Sequence, residues 1–582
     1  MKKLLLAFAA AALCACALFG CFGTVINPRD PDKKELVVSV YNGGQGTEFI
    51  APVVERFKKD NPEWNVLLET RKRTVGEIVD LTAIGQQANL YISPVVDFYS
   101  LIYKDAFTDL SGVMEMKAPG EDRTIGEKML RKEDWLNIAA KDGAGCYMLP
   151  WGEDFLGLNY DHGKFLEYGL LREAADEPAV KEALAAQGIS FTEQGAKLKF
   201  ASAPGETNYK PGDTILRAGK DGKYGTYDDG QPVTLAEWKQ MFDLLKGYGK
   251  AVIYSGKILD YVTDIFNGVF GQYDGIDAVR TFNAYDGAYT FAGDSNPTAI
   301  TMQNGYKVYG MTGLQKATEF LQAYMNDREY AHEACFISEE SHTDAQGKFV
   351  TGAAKTSPNS PFTGFLADGT WWENEARPVF AALSAGAGKT DGYGYGERDY
   401  RVMMLPEMPG QKGADGQGNG SVLSIRATGS IVLPKSKNAE ADEMAKRFIT
   451  YLLSEESLRN FTALTGGLQP YSFELTAGDK AKMSNYARTV QQIYNDADNV
   501  AFVRMLRDKN LTPLPYKTSK GDSVIYLTKI GSVSYNNIVT ALRLAETNLD
   551  ASIKSDPVKA VFEGIQKHYE PLWQGYIKEV AA

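Results

Sequence analysis

The chain has 582 residues, 44% of them hydrophobic, a composition that suits a globular protein large enough to divide into two lobes. Its net charge of -12 and pI near 5.2 exclude a nucleic-acid backbone as the main partner, because phosphate contacts need clustered Lys and Arg.

The chain opens on a leader. Lys2 and Lys3 form a charged start, residues 4–19 an apolar run too short to span a bilayer, and Leu18-Phe19-Gly20-Cys21 resembles the lipobox of bacterial lipoproteins. This predicts a signal peptide over residues 1–20, a lipid anchor on Cys21, and a tether over residues 21–35 carrying Pro28 and Pro31. More than one acyl chain on Cys21 would hold the protein at the extracellular face of a bacterial cell membrane. A generic secretory leader cut elsewhere is the alternative. No later stretch is long and apolar enough to cross a bilayer. Cys14 and Cys16 leave with the leader, and Cys146 and Cys335, which could pair in an oxidising compartment, read as two buried thiols.

Residues 36–41, Leu-Val-Val-Ser-Val-Tyr, predict a strand covered on both faces. Asn42-Gly43-Gly44-Gln45-Gly46 turns the chain, and a helix follows with Phe49, Ile50, Val53, Val54 and Phe57 on one stripe. Asn61-Pro62 ends it ahead of a strand over residues 65–69. This βαβ start lacks the spacing of a dinucleotide fingerprint, so its glycines are read as letting the backbone approach a ligand at the strand end.

Residues 147–160, Tyr-Met-Leu-Pro-Trp-Gly-Glu-Asp-Phe-Leu-Gly-Leu-Asn-Tyr, organise the rest. The strand ending in Leu149 should stop at Pro150, which has no N–H to donate, and the chain should cross there between lobes. Trp151, Glu153 and Asp154 then place an aromatic face beside two acceptors, which suits the C–H face and the hydroxyls of a sugar. A surface strand with an ordinary bend accounts for the same residues.

Residues 165–185 read as helical and 189–213 as an irregular insertion. Asp221, Asp228 and Asp229 lie on a Gly-punctuated loop that can offer oxygen ligands to a structural Ca²⁺, although the EF-hand positions are missing. A hairpin loop held by Asx turns explains them without metal. Thr234 and Glu237 form a capping box for a helix through Trp238, Phe242 and Leu245. Tyr261 and Asp264, three apart on one helix face, are available to a cleft or to solvent. Residues 277–309 read as a β-excursion, and a strand over 364–372 ends in Trp371-Trp372, one suited to the core and one to a site. Residues 439–453 form the strongest amphipathic helix, 465–470 a second crossing, and the remainder from residue 480 is mostly helical.

A glycoside hydrolase needs two carboxylates roughly 5–10 Å apart across a sugar, whereas adjacent residues point to opposite sides of a strand, as Glu153 and Asp154 would. There is no Gly-x-Ser-x-Gly elbow, and His162, His332, His342 and His568 lack metal-ligand spacing. Gly386-Ala387-Gly388-Lys389-Thr390 lacks the first P-loop glycine, with Leu383 in its place. Repeats of the kind an adhesin would carry are not found.

In their order along one leader-bearing chain, several segments resemble the family 1 extracellular solute-binding proteins, the maltose-binding-protein-like receptors of ABC importers. They are residues 36–62, Leu149-Pro150-Trp151 with Gly157-Leu158-Asn159-Tyr160, Gly369-Thr370-Trp371-Trp372-Glu373-Asn374, the helix over 439–453 with Ser454-Glu455-Glu456, and Thr465-Gly466-Gly467 with Pro470. The resemblance implies an α/β, two-lobe periplasmic-binding-protein-like fold of type II. One lobe would hold residues 36–150 plus 420–466 and the other 151–419 plus 467–582, joined by a hinge with crossing strands. It further implies a monomeric, non-enzymatic receptor that needs no cofactor. Such a receptor captures an extracellular carbohydrate, most simply an oligosaccharide, and delivers it to permease subunits in the membrane. Peptide or another polar solute is the alternative ligand, and a lipid-anchored glycoside hydrolase the more distant one. Carried over by position, Tyr41, Asn42, Gln45, Trp151, Glu153 and Asp154 face the cleft, Trp371 takes a stacking position and Tyr535 falls near another aromatic one. Tyr261, Asp264 and Trp372 are added from the residues themselves. Insertions around 189–232, 277–310 and 335–362 lengthen the chain beyond a compact family member.

Overall fold

The structure, a computed structural model, describes residues 24–25, 29–71, 77–78, 80–81, 87–94, 99–205, 207–355, 361–385, 390, 392–504, 528–530, 533–535, 537–546 and 550–581. The leader, Cys21 and residues 386–389 lie outside the described residues. The chain divides into two compact units, Met1–Glu153 with Ala427–Lys482, and Asp154–Arg426 with Met483–Ala582. The elements that position the sites are, in chain order, β1 (Lys34–Tyr41), α1 (Ile50–Asp60), β2 (Trp64–Arg71), β3 (Leu90–Ser93), β4 (Leu149–Asp161), α2 (Asp260–Asp274), β5 (Phe362–Gly369), β6 (Ser421–Val432) and α3 (Pro557–Ala581). Both β4 and β6 run from one unit into the other.

In the first unit the apolar alternation becomes a sheet. β1 pairs in parallel with β2, from Lys34 opposite Trp64 to Tyr41 opposite Arg71, and with β3 on its other side. The end of β6 closes this sheet antiparallel to β3 at Ser430–Val432. Leu36, Val38 and Val40 are buried, and α1 lays Ile50, Val53, Val54 and Phe57 onto the same core. Burial of each such side chain contributes about 1.5–3 kcal/mol. Asn61 ends α1, its backbone N–H and its Nδ2 both donating to the Phe57 carbonyl.

Two expectations change here. The strand does not stop at Pro150; β4 continues through it for 13 residues, all buried. Pro150 is only the second residue of the strand, where a missing N–H is tolerated, and its carbonyl accepts from the Tyr471 hydroxyl at 2.8 Å. Residues 467–482, expected in the second lobe, belong to the first unit. Tyr471 is buried in that unit's core, and the turn around it is tied by Leu130 N–H to Pro470 O and Ser472 N–H to Lys128 O.

In the second unit β5 pairs antiparallel with β4, Phe365 opposite Tyr160 and Gly369 opposite Leu156, and in parallel with the strand Gly249–Ile253. The strand Tyr400–Met403 also pairs antiparallel with β4, and the start of β6 pairs in parallel with Val500–Arg504. The predicted helix over 165–185 is two helices, His162–Glu167 and Pro178–Ala186, the second opened by Pro178 at its first position. The segment read as irregular contains a hairpin, Phe191–Gln194 with Lys197–Phe200, folded around a small core of Leu184, Leu198, Phe200, Tyr209 and Ile215. Among the described residues no helix is long and apolar enough to cross a membrane.

Candidate functional site

The sequence-derived site residues divide between the units: Tyr41, Asn42, Gln45, Trp151 and Glu153 lie in the first, and Asp154, Tyr261, Asp264, Trp371, Trp372 and Tyr535 in the second. Asn42 is exposed, and Tyr41 and Gln45 partly so, where β1 gives way to the glycine turn. Tyr41 folds over Gly43 so closely that a Cβ there would sit 2.3 Å from its ring, which accounts for that glycine. Gln45 reaches the 466–469 turn, its Nε2 standing 2.8 Å from where a Cβ of residue 467 would be.

Trp151 is not presented as an open stacking face. It is 4% exposed, stacked on Phe49 at 5.2 Å and set edgewise to Phe461 at 5.0 Å, because the turn before α1, β4 and the helix Glu455–Thr465 converge there to close the core. Beside it Glu153 is 1% exposed, ion-paired with Arg131, and its N–H donates to Leu468 O at 3.2 Å. Arg131 starts the helix Lys132–Ala139 from a left-handed conformation, φ 49°, that few non-glycine residues adopt. Its guanidinium remains partly exposed.

In the second unit Asp154 is fully buried and accepts from the Thr370 hydroxyl at 2.5 Å. Trp371 is partly exposed and lies on the backbone of Gly369, where a Cβ would come within 2.2 Å of the indole. The Tyr261 ring meets Trp371 at 5.9 Å and 62°, and His342 at 6.3 Å on another side. Burial, reinforced by the Asp368 and Glu375 charges, pushes the Tyr261 hydroxyl pKa well up, so it stays a donor. One turn along α2, Asp264 accepts from Ser424 Oγ at 2.7 Å and is ion-paired with Arg426, which also donates to the Asp260 carbonyl at 3.1 Å. Trp372 proves to be the core member of the tryptophan pair: it has no exposure and is ringed by Phe349, Tyr400 and Tyr486. Tyr535 ends a short strand, Val533–Tyr535, and its side chain lies outside the described residues.

Asp221, Asp228 and Asp229 are not arranged as a metal cage. Asp228 accepts from the Asp221 N–H and Thr226 Oγ1, Asp229 from the Gly225 N–H, and Asp221 from the Lys223 N–H. Among the described residues no three acidic, histidine or cysteine side chains are placed to hold an ion. Burial, then the neighbouring Asp221 charge, pushes Asp228 up to about 7. The loop meets its carboxylates with hydrogen-bond donors where the sequence suggested calcium.

Arg131, Arg426 and Thr370 complete these clusters and were not singled out in the sequence. Each is identified only by its distant partner. Chemically, each unit holds buried carboxylates fixed by a cation or hydroxyl of the same unit, and the second unit adds a buried phenol and one partly exposed indole.

No protein-family model and no curated protein matches the sequence. Solved structures do. They include a chitin oligosaccharide binding protein, 12% identical over 93% of this chain and 99% of that one, with a TM-score of 0.51. UgpB from Mycobacterium tuberculosis in complex with glycerophosphocholine is 12% identical over 94% and 100% of the two chains, also at 0.51. The chain has the two-lobe α/β fold of solute-binding proteins. A probable secreted solute-binding lipoprotein from Streptomyces coelicolor gives the same result, 12% identity, 93% and 99% coverage and a TM-score of 0.51. In this solute-binding-protein fold, Trp371 and the Asp264–Arg426 pair belong to one unit, and Tyr41, Gln45 and the Glu153–Arg131 pair to the other.

Proposed function

We propose that the chain is the substrate-binding lipoprotein of an ABC importer: it captures a neutral oligosaccharide outside the cell and hands it to a permease without changing it chemically. The observation that carries this reading is Trp371, an indole laid on Gly369 and met at its edge by Tyr261, with Asp264, one turn from Tyr261 on α2, held by Arg426 of β6. An aromatic face beside immobilised donors and acceptors suits a pyranose. Two of the proteins sharing the fold are described as binding chitin oligosaccharide and glycerophosphocholine, so a polar solute is common to both. A phosphodiester would call for an uncommitted cation, whereas Arg131 and Arg426 each face a buried carboxylate. The lipobox adds a lipid on Cys21 and a place at the extracellular face of the cell membrane, where the protein acts as a monomer.

Thermal shift of the chain against mono- and oligosaccharides, amino acids, short peptides and glycerophosphocholine tests the proposal, since a ligand of the folded state must raise the melting temperature. The expected result is a rise with one glycan family, mono- or oligosaccharide, that Trp371→Ala lowers. A rise only with peptides or glycerophosphocholine, or release of shorter sugars from a bound glycan, overturns it.

A further inference from the structure

In the second unit a groove of about 470 Å³, sharing no lining residue with the cluster around Trp371, opens between α3 and the segment 291–311. Its volume lies within the roughly 300–1,000 Å³ of ligand pockets. A neighbouring groove of about 580 Å³ shares Gln315, Phe562 and Gln566 with it and continues along α3. From Val558 to Glu570 the lining follows the helix for roughly 18 Å at its usual rise. That is a trough longer than any single sugar ring.

Its walls are aromatic and already set. Phe291 stands edgewise to Tyr289 at 4.9 Å, and Tyr309 edgewise to Tyr569 at 4.7 Å. The Tyr306 hydroxyl is hydrogen-bonded to Glu570, and Phe562 is partly exposed where the two grooves meet. Between the rings lie Gln315 and Gln566, whose amides both donate and accept, and the carboxylates of Asp294 and Glu570 against the single ammonium of Lys307. In the continuation Glu319, Asp556 and Glu563 outnumber Lys559. An acidic excess repels phosphates, nucleotides and anionic lipids, while carboxylates and amides beside aromatic faces suit the hydroxyls and C–H faces of a glycan.

We propose that this trough is a second carbohydrate site, taking a neutral oligosaccharide of several residues along α3, separate from the site around Trp371. It is built from Phe291, Tyr306 and Phe562 as stacking surfaces and from Gln566 and Glu570 as hydrogen-bonding partners. Its length favours polymers over monosaccharides.

Native electrophoresis of the full chain through gels containing starch, xylan, galactomannan or glycol chitin tests it, with anionic carboxymethylcellulose as the control. The expected result is retardation by at least one neutral polymer, kept in Trp371→Ala and weakened at least fivefold in Tyr306→Ala and in Phe562→Ala. The double change of the exposed Gln566→Ala and Glu570→Ala, which leaves the core intact, should do the same with an unchanged melting temperature. Retardation that survives the groove substitutions, that disappears with Trp371→Ala alone, that occurs only with the anionic polymer, or that is absent with every polymer overturns the proposal. Failure of the Trp371 site to bind any glycan leaves this experiment readable, because the two sets of variants do not overlap.

Discussion

Trp371 and Trp372 are neighbours in sequence, yet truncation should separate them cleanly. Trp372 has no exposure and its indole meets Tyr400 at 4.9 Å and 84°, Tyr486 at 5.6 Å and 70°, and Phe349 at 5.6 Å and 83°. Tyr400 is fixed by the strand Tyr400–Met403 and Phe349 by the helix His342–Ala353, so a cavity left between them has little room to collapse. Trp372→Ala should therefore cost about 3–5 kcal/mol, the range for truncating a large buried aromatic. The lost edge-to-face pairs, each worth about 0.5–1.5 kcal/mol, place it toward the upper end. Trp371 is partly exposed and rests on the backbone of Gly369 and the edge of Tyr261, so Trp371→Ala should cost about 1 kcal/mol while lowering ligand binding. Urea unfolding followed by circular dichroism measures both, with ligand-dependent thermal shift read in parallel. A Trp372→Ala midpoint within about 0.2 M urea of the parent chain, or an equal loss in Trp371→Ala, would refute the assignment of core and site.

The other predictions concern titration and metal. Burial pushes Glu373 up to about 7, against the Ser484 hydrogen bond and the Arg377 charge that favour its ionised form. The unfolded chain gives up this proton near pH 4.3 and the folded one only near 7, so stability should fall as pH rises through that window. Glu373→Gln should flatten the slope and gain on the order of 2–3 kcal/mol over the parent at pH 8, measured by urea unfolding at several pH values; identical slopes in the two proteins would contradict it. Asp368, also pushed up to about 7 by burial, should leave a residual slope in the variant. Because the Asp221–Gly230 loop meets its carboxylates with its own donors, about 5 mM Ca²⁺ should leave the melting temperature within about 1 °C, and a rise of several degrees would mean that the loop reorganises into a cage.

The parts legible in the sequence were those set by local pattern. The run from Leu36 to Tyr41 and the stripe of Val53, Val54 and Phe57 depend on neighbours two to four residues away, and they fold as β1 and α1. Pro150 does not end the strand because tolerance of a missing N–H depends on its place there, second in β4, while its carbonyl is satisfied by the Tyr471 hydroxyl, 321 residues away. Composition marks Trp371-Trp372 as important but cannot say which indole faces inward, since that follows from how β5 meets the helix Trp372–Glu375. The hairpin Phe191–Gln194 with Lys197–Phe200 is hidden by its largely exposed, polar first strand. Arg131 and Arg426 carry no signal of their own; Ser424, two residues before Arg426 on β6, is 160 positions from the Asp264 they both engage.

The buried carboxyl groups of these clusters are poorly placed for acid–base chemistry. A general acid must hold a proton near neutral pH and reach the substrate, and the carboxyl groups of these clusters are all buried. Glu153 and Asp264 are ion-paired to Arg131 and Arg426, which favours the ionised, accepting form. Asp154 is buried under the Thr370 hydroxyl. Burial does push Asp368 and Glu373 up to about 7, yet they are 1% and 2% exposed and engaged by Gln346 and Ser484, so no glycosidic oxygen can approach them. Glu153, Asp154 and Asp264 are 1%, 0% and 3% exposed, so they are as enclosed as Asp368 and Glu373, and none of the five is placed to protonate a bound substrate.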